Sequence, residues 1–240
     1  MRRIAIIAAL PGELKPLVKG WERKLETTGV TSWSLRHDNT VWIATCAGMG
    51  SDAATRAFAE AEKDGKLNSA ISIGWAGALD HSSLVGEAYA VAEVIDVRTA
   101  ERYGVADSSG GLKLVTAPTV ASANEKRRLA KSYGAALVDM EAATIGRLAR
   151  ARDIPFYCFK AVTDGVDANL PDFNPFVTRD GQMRIFAFAL HCALRPWYWA
   201  PLLRMGKNSV RAADALKLRV NSFLNELTNA KKSDGHDNRR

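Results

Sequence analysis

Three carboxylates stand where apolar runs of this 240-residue chain end: Glu13 after "IAIIAALPG", Glu141 after "LVDM" and Asp164 after "FKAVT". One carboxylate at such a point is commonly a helix N-terminal acid favoured by the macrodipole. Three together suit acid–base chemistry on a small ligand. No Gly-x-Ser-x-Gly, His-Glu-x-x-His or phosphate-loop pattern occurs, and His37, His81, His191 and His236 do not cluster. Met140 and Glu141 offer an apolar platform beside an acceptor of two hydrogen bonds, a combination suited to a ribose with vicinal hydroxyls. Asp164, shielded from water, can hold a proton for a nitrogen acceptor, and Glu13, acceptor-only when ionised, can orient a nucleophile from the other side. The expectation is a sugar held between an acid and a base, with Glu141 and Asp164 closing two neighbouring strands.

The segment "GMGSDA" follows a strand-like run and opens a helical one, placing Gly48, Gly50 and Ala53 in a dinucleotide-like pattern. That fingerprint also needs an acid at the end of the next strand, and the chain has Gly74, Trp75, Ala76 and Gly77 there. What remains is two glycine turns that let a ligand approach backbone N–H groups.

These residues need a scaffold, and the hydrophobic pattern supplies one. "RIAIIAAL" reads as a strand buried on both faces, and "SWSLRHDN" with "TVWIATCAG" as a hairpin turning at Asp38 and Asn39. "GSDAATRAFAEAEKDGK" has helical spacing, with Ser51 or Asp52 as N-cap and Gly65 as stop. Strands are expected in "NSAISIGWAG", "EAYAVAEVIDVRTAE", "AALVDM" and "IPFYCFKAVTD", and helices in "ANEKRRLAKSYG" and "EAATIGRLARARD". This alternation predicts a single α/β domain over residues 1–229, a mixed, largely parallel sheet flanked by helices, with ligands at the strands' carboxyl ends. A helical extension over 191–229 is broken at Pro196 and Pro201, and the apolar-free tail 230–240 is expected to be disordered.

The formal charge is +7, and residues 191–219 hold six basic residues against one acid, Asp214. A charge so localised, beside "PWYWAPLL", points to peripheral contact with an anionic membrane surface through residues 195–211 and to no nucleic-acid partner. Cys46, Cys158 and Cys192 are far apart and set among apolar residues, which fits a reducing, cytoplasmic setting without disulfide, zinc or other metal. The N-terminal "MRRIAIIAAL" reads as the first strand, not a signal peptide, because no small-residue cleavage site follows it.

Taken in order, "IAIIAALPGEL", "CAGMGSDAA", "ISIGWAGAL", "VDMEAA" and "FKAVTDGVD" resemble the family of nucleoside phosphorylases and nucleosidases, over residues 3 to about 175. The resemblance implies cleavage of an N-ribosidic bond through an oxocarbenium-like transition state, without cofactor, by phosphate or water. It implies that Asp164 protonates N7 of a departing purine and that Glu141 holds the ribose hydroxyls. Met140 would pack on the sugar and Glu13 would activate water. Thr163, Val120, Gly48, Gly50, Gly74, Trp75 and Ala76 would complete the substrate contacts, in a homo-oligomer. The chain departs from the family at Trp75, where a small hydroxyl residue is usual, and at Ser72, where many phosphorylases carry a phosphate-binding arginine. Val120 and Ala121 replace the aromatic that nucleosidases stack on adenine. "VDMEAATIGRLARARDIPF" and "LRPWYWAPLLRMGKNSVRAADAL" are most similar to hopanoid-associated phosphorylases, which implies adenine release from a 5′-substituted adenosine such as adenosylhopane. The second reading is a methylthioadenosine/S-adenosylhomocysteine-type nucleosidase, and the third a non-catalytic nucleoside- or lipid-binding protein of the same fold.

Overall fold

A computed structural model of the chain describes residues 1–27, 29–107, 110–168 and 170–237. The strands are β1 (Arg2–Ala8), β2 (Glu22–Thr27), β3 (Val30–His37), β4 (Thr40–Cys46), β5 (Ser69–Ala78), β6 (Ala88–Asp96), β7 (Arg102–Gly104), β8 (Leu112–Thr116), β9 (Leu137–Asp139) and β10 (Phe156–Asp164). The helices are α1 (Pro11–Leu14), α2 (Ser51–Glu62), α3 (Ala123–Tyr133), α4 (Ala142–Arg150), α5 (Ile185–Ala193) and α6 (Trp199–Asp237).

β4, β1, β5 and β10 run parallel in that order, and their carboxyl ends share one edge. β5 also pairs antiparallel with β9 through Gly77 and Ala78. Because β10 continues through β6 and β8 to β9, these five strands close on themselves around β5. The predicted mixed, largely parallel α/β sheet is therefore present, with one correction. β9 and β10 are not neighbours; β5 lies between them, parallel to β10 and antiparallel to β9.

Helices cover both faces. Ala53, Ala57, Phe58 and Ala61 of α2 and Ala142, Ile145 and Ala149 of α4 pack on one side of the sheet. On the other, Ala212, Leu216 and Val220 of α6 join Leu14, Trp33 and Ile71. Phe223 of α6 lies 4.7 Å from the Tyr157 ring and 4.9 Å from Phe159. The C-terminal helix thus belongs to the core along this stretch. It starts before Pro201, which the first helical turn accepts because its N–H would be unpaired there anyway. α6 also runs through residues 230–237 of the expected disordered tail; 238–240 lie outside the described residues.

The hairpin turns where expected, with Asp38 at φ 52°. The N-cap of α2 is Gly50 rather than Ser51 or Asp52. At φ 88° it avoids the Cβ penalty, and its N–H donates to the Glu141 carboxylate, so an acid from elsewhere in the chain serves this helix start. The extended segment expected over Glu87–Glu101 is strand only to Asp96; the chain then turns at Ala100 (φ 58°) into β7, which pairs back on β6.

Candidate functional site

A cavity of about 730 Å³ opens at the shared strand ends. Glu13, Trp75, Ala76, Val120, Met140, Glu141, Thr163 and Asp164 line it. Gly48, Gly50 and Gly74 do not, and their geometry gives the reason. A Cβ on Gly48 would lie 2.6 Å from the Gly181 carbonyl oxygen, so that glycine admits a neighbouring loop. A Cβ on Gly74, at φ 149°, would lie 2.8 Å from Glu13 Oε1, so that glycine makes room for the carboxylate. Gly50 supplies the N–H held by Glu141. Gly50 and Gly74 thus position acids that face the cavity.

Glu13 is 4% exposed. Its Oε2 accepts from the backbone N–H of Ala9 (2.9 Å) and Leu10 (2.7 Å), and its Oε1 from Trp75 N–H (2.7 Å). A carboxylate has about four acceptor positions. The three bonds thus leave one, on Oε1. Burial pushes the carboxyl above its ordinary value, against those N–H groups and the charge of Lys160, which makes it a better proton acceptor.

Glu141 follows β9 and is likewise buried. Gly50 N–H donates to Oε1 at 2.6 Å and Met140 N–H to Oε2 at 3.3 Å, so each oxygen keeps one free position, as a vicinal diol requires. Burial first, and then the Asp139 charge, raise its pKa to about 8; Lys160 works in the opposite direction. That lysine interrupts the apolar run of β10, and its Nζ meets Asp139 Oδ2 at 2.8 Å in a fully enclosed pair. Thr116 Oγ1 and Ala142 N–H complete the shell of Asp139. Burial alone would lower the Lys160 pKa, but Asp139 and Glu141 hold it raised, so the cation persists beside these two acids.

Asp164 ends β10 with its carboxylate on the cavity. Thr163 Oγ1 donates to Oδ1 at 2.8 Å, while Lys126 Nζ of α3 contacts Oδ2 and donates to the Gly165 carbonyl at 2.8 Å. The expectation is an acid shielded from water; the structure also sets a buried cation against it. Lys126 carries a signal that the sequence reading passed over. With Leu129, Ala130 and Tyr133 it sits on one helical face, a position ordinarily apolar. Phe173 was also missed. It lines the cavity and stacks on Phe188 at 5.1 Å, offering the aromatic face that Val120 and Ala121 lack. Asn174 clamps the Val120 backbone with two hydrogen bonds, 2.9 and 3.1 Å, tying the loop before α3 to the loop after β10.

Residues 98–193 match the Phosphorylase superfamily. No curated protein matches the chain. Among solved structures, 5′-methylthioadenosine nucleosidase from Arabidopsis thaliana superposes with a TM-score of 0.70 at 17% identity, covering 94% of this chain and 95% of that one. The Helicobacter pylori 5′-methylthioadenosine/S-adenosylhomocysteine nucleosidase, with butyl-thio-DADMe-Immucillin-A, gives 0.67 at 14%, covering 92% and 99%. Futalosine hydrolase of the same organism gives 0.66 at 14%, covering 92% and 98%. The match to the Phosphorylase superfamily thus covers residues 98–193, and the solved nucleosidases share the fold of nearly the whole chain. The five motifs that carry the resemblance fall on the elements around the cavity.

Proposed function

We propose that the chain hydrolyses the N-ribosidic bond of a purine nucleoside, with Glu141 on the ribose hydroxyls, Asp164 at the base and Glu13 on the attacking water. The observation that supports this most is the pattern of open acceptor positions: two on Glu141 for a diol, one on Glu13 for a water. Water is favoured over phosphate by charge. Among the described residues lining the cavity are Glu13, Glu125, Asp139, Glu141, Asp164 and Asp172, against one cation, Lys126, whose bonds are taken. No cationic side chain among them is therefore free to hold a phosphate dianion. Ser72, where a phosphate-binding arginine would stand, is wholly buried.

The substrate read here is a 5′-substituted adenosine with an apolar 5′ group, such as adenosylhopane. The cavity stands in the upper part of the range of about 300–1,000 Å³ typical of ligand sites, and Leu170, Met183 and Met205 line it. From its wall, a run of rings, Phe173, Phe188, Phe176, His191, Tyr198 and Trp197, leads outward with successive centroids 5.1 to 6.2 Å apart. It ends at the exposed Trp197, in a stretch of chain that also exposes Phe186 (93%), Leu194 and Leu203. Arg195, Arg204, Lys207 and Arg211 lie in the same stretch of chain, which suits a reversible docking surface for anionic lipid. The assay is adenine release from adenosine, from a 5′-methylthio analogue and from a 5′-polycyclic-lipid analogue, each with and without phosphate. The reading expects phosphate-independent release, fastest with the lipid-bearing substrate. A phosphate requirement would overturn hydrolysis, and preference for the short thio substrate would make this a methylthioadenosine-type nucleosidase.

A further inference from the structure

Lys126 is 3% exposed and lies at the base end of the cavity. Its ammonium contacts Asp164 Oδ2, donates to Gly165 O at 2.8 Å and reaches Asp164 O at 3.5 Å. A buried ammonium is costly to desolvate, and the ion pair recovers that cost only when its geometry is good. The surroundings are shaped around it. A Cβ on Gly77 would stand 2.9 Å from Lys126 Cε and 3.0 Å from Nζ, so the strand carries no side chain where the lysine passes. Thr163 fixes the other oxygen of Asp164, which leaves that carboxylate with its remaining acceptor positions toward the cavity.

This arrangement conflicts with a lone carboxylic acid as proton donor. Asp164 meets a cation on one side, and the proton nearest to it belongs to the lysine. We propose that Lys126 is the proton source for base departure, acting through Asp164. The inference rests on the hydrolytic reading above. As the N9–C1′ bond breaks, its electron pair leaves with the base, N7 takes a proton from Asp164, and Asp164 takes one from Lys126 Nζ. Water adds to C1′ and gives its proton to Glu13. The lysine ends as a neutral amine and Glu13 as a neutral acid; proton return through solvent restores both. Asp164 is carboxylate before and after, which is the state its partners support. In this scheme Lys126 is a positioning and proton-supplying residue, while Asp164 touches the base.

The test compares two leaving groups. A purine needs the proton; 4-nitrophenolate, from a 4-nitrophenyl riboside, departs without one. Lys126→Met should lower kcat on the purine nucleoside by about 10²-fold or more, with KM near the parent value, and should lower the aryl riboside rate far less. In Lys126→Ala, added methylamine should restore purine cleavage in a saturable way. Circular dichroism and the melting temperature establish that both variants fold. A folded Lys126→Met with the parent rate on purine would overturn the inference. Equal loss on both substrates without amine rescue would also overturn it, because the lysine would then only hold the shape of the site. Parent protein inert toward both substrates would sink the hydrolytic reading itself and this inference with it, an outcome distinct from the other two.

Discussion

The strand-end cluster and the arm formed by α5 and the start of α6 depart from ordinary folding in opposite ways. At the strand ends Glu13, Asp139, Glu141, Lys126 and Lys160 are buried, each at 8% exposure or less. On the arm Ile185, Phe186, Leu190, Leu194, Trp197 and Leu203 are exposed, each at 66% or more. Burying charge costs free energy and must be offset by partners, which the cluster provides through backbone N–H groups and two lysines. Exposing large apolar groups forgoes stabilisation and leaves a patch that calls for a partner surface. Neither region is explained by folding alone. In the proposed function the first would meet a ligand's polar atoms and the second an apolar surface, with the ring series running between them.

The largest effect should come from the cluster. Asp164→Asn should reduce purine release by about 10²- to 10⁴-fold, the usual worth of general acid catalysis. Because Lys126 loses its ion partner, the melting temperature has to be measured beside the rate. A well-folded variant with near-parent rate on an unactivated purine nucleoside would remove Asp164 from the mechanism.

Lys160→Met should cost roughly 3–5 kcal/mol of stability, the range for stranding one charge of a buried pair, here Asp139. Chemical denaturation checks it, and adding Asp139→Asn should recover much of the loss. If Lys160→Met alone is silent, the pair is not the support of the cluster.

Glu141→Gln should act in two directions. Rate on a ribonucleoside should fall by the charge-assisted bonds lost, about 1.5–3 kcal/mol each, while a 2′,3′-dideoxy substrate should be little affected. Stability should move the other way. The Glu141 pKa is raised to about 8, so its protonated form favours the folded state; that contribution is whole below the ordinary value of 4.5 and is lost as pH rises through about 8. Glutamine, always neutral, should therefore match the parent at pH 4 and exceed it increasingly as pH rises toward 8. For the parent, kcat/KM should climb toward pH 8 as the acceptor carboxylate forms, and the variant should lack that limb. Melting curves that respond to pH identically in both would contradict the buried, neutral Glu141.

Much of the cluster was legible in the sequence because strand-end carboxylates follow apolar runs that cannot be mistaken for loops. Glu13, Glu141 and Asp164 meet in one cavity as their positions implied. The partners were less legible, since pairing is set by sheet closure. Nothing local in "LVDM" or "FKAVT" says that β5 separates β9 from β10. Lys160, the lone charge within "FYCFKAV", was the readable trace of a buried ion pair, as Lys126 was on the apolar face of α3. The short strands β2 and β8 went unseen because edge and ring pairing, rather than a strong apolar alternation, defines them. Composition marks residues 191–229 as a basic, aromatic helical extension. Only the fold separates its packed residues, Ala212, Leu216 and Val220, from those left outside.

The smallest effect on the fold, and the sharpest test of the arm, comes from Phe186→Ser combined with Trp197→Ser. Phe186 is 93% exposed and Trp197 67%, so their removal should change stability by no more than about 0.5 kcal/mol. Trp199 is the wrong choice, because its Nε1 donates to Cys192 O at 2.9 Å and so helps join α5 to α6. The parent should co-sediment with anionic vesicles, more with higher anionic fraction and less with salt, since each basic residue near the surface contributes about 1 kcal/mol. The double variant should lose most of that binding while cleaving a short, soluble nucleoside at the parent rate, because neither residue lines the cavity. Against a lipid-tailed nucleoside carried in vesicles its rate should fall together with binding. Equal sedimentation of variant and parent would detach the exposed apolar surface from any lipid role, and the contrast between the two regions would then concern only the buried one.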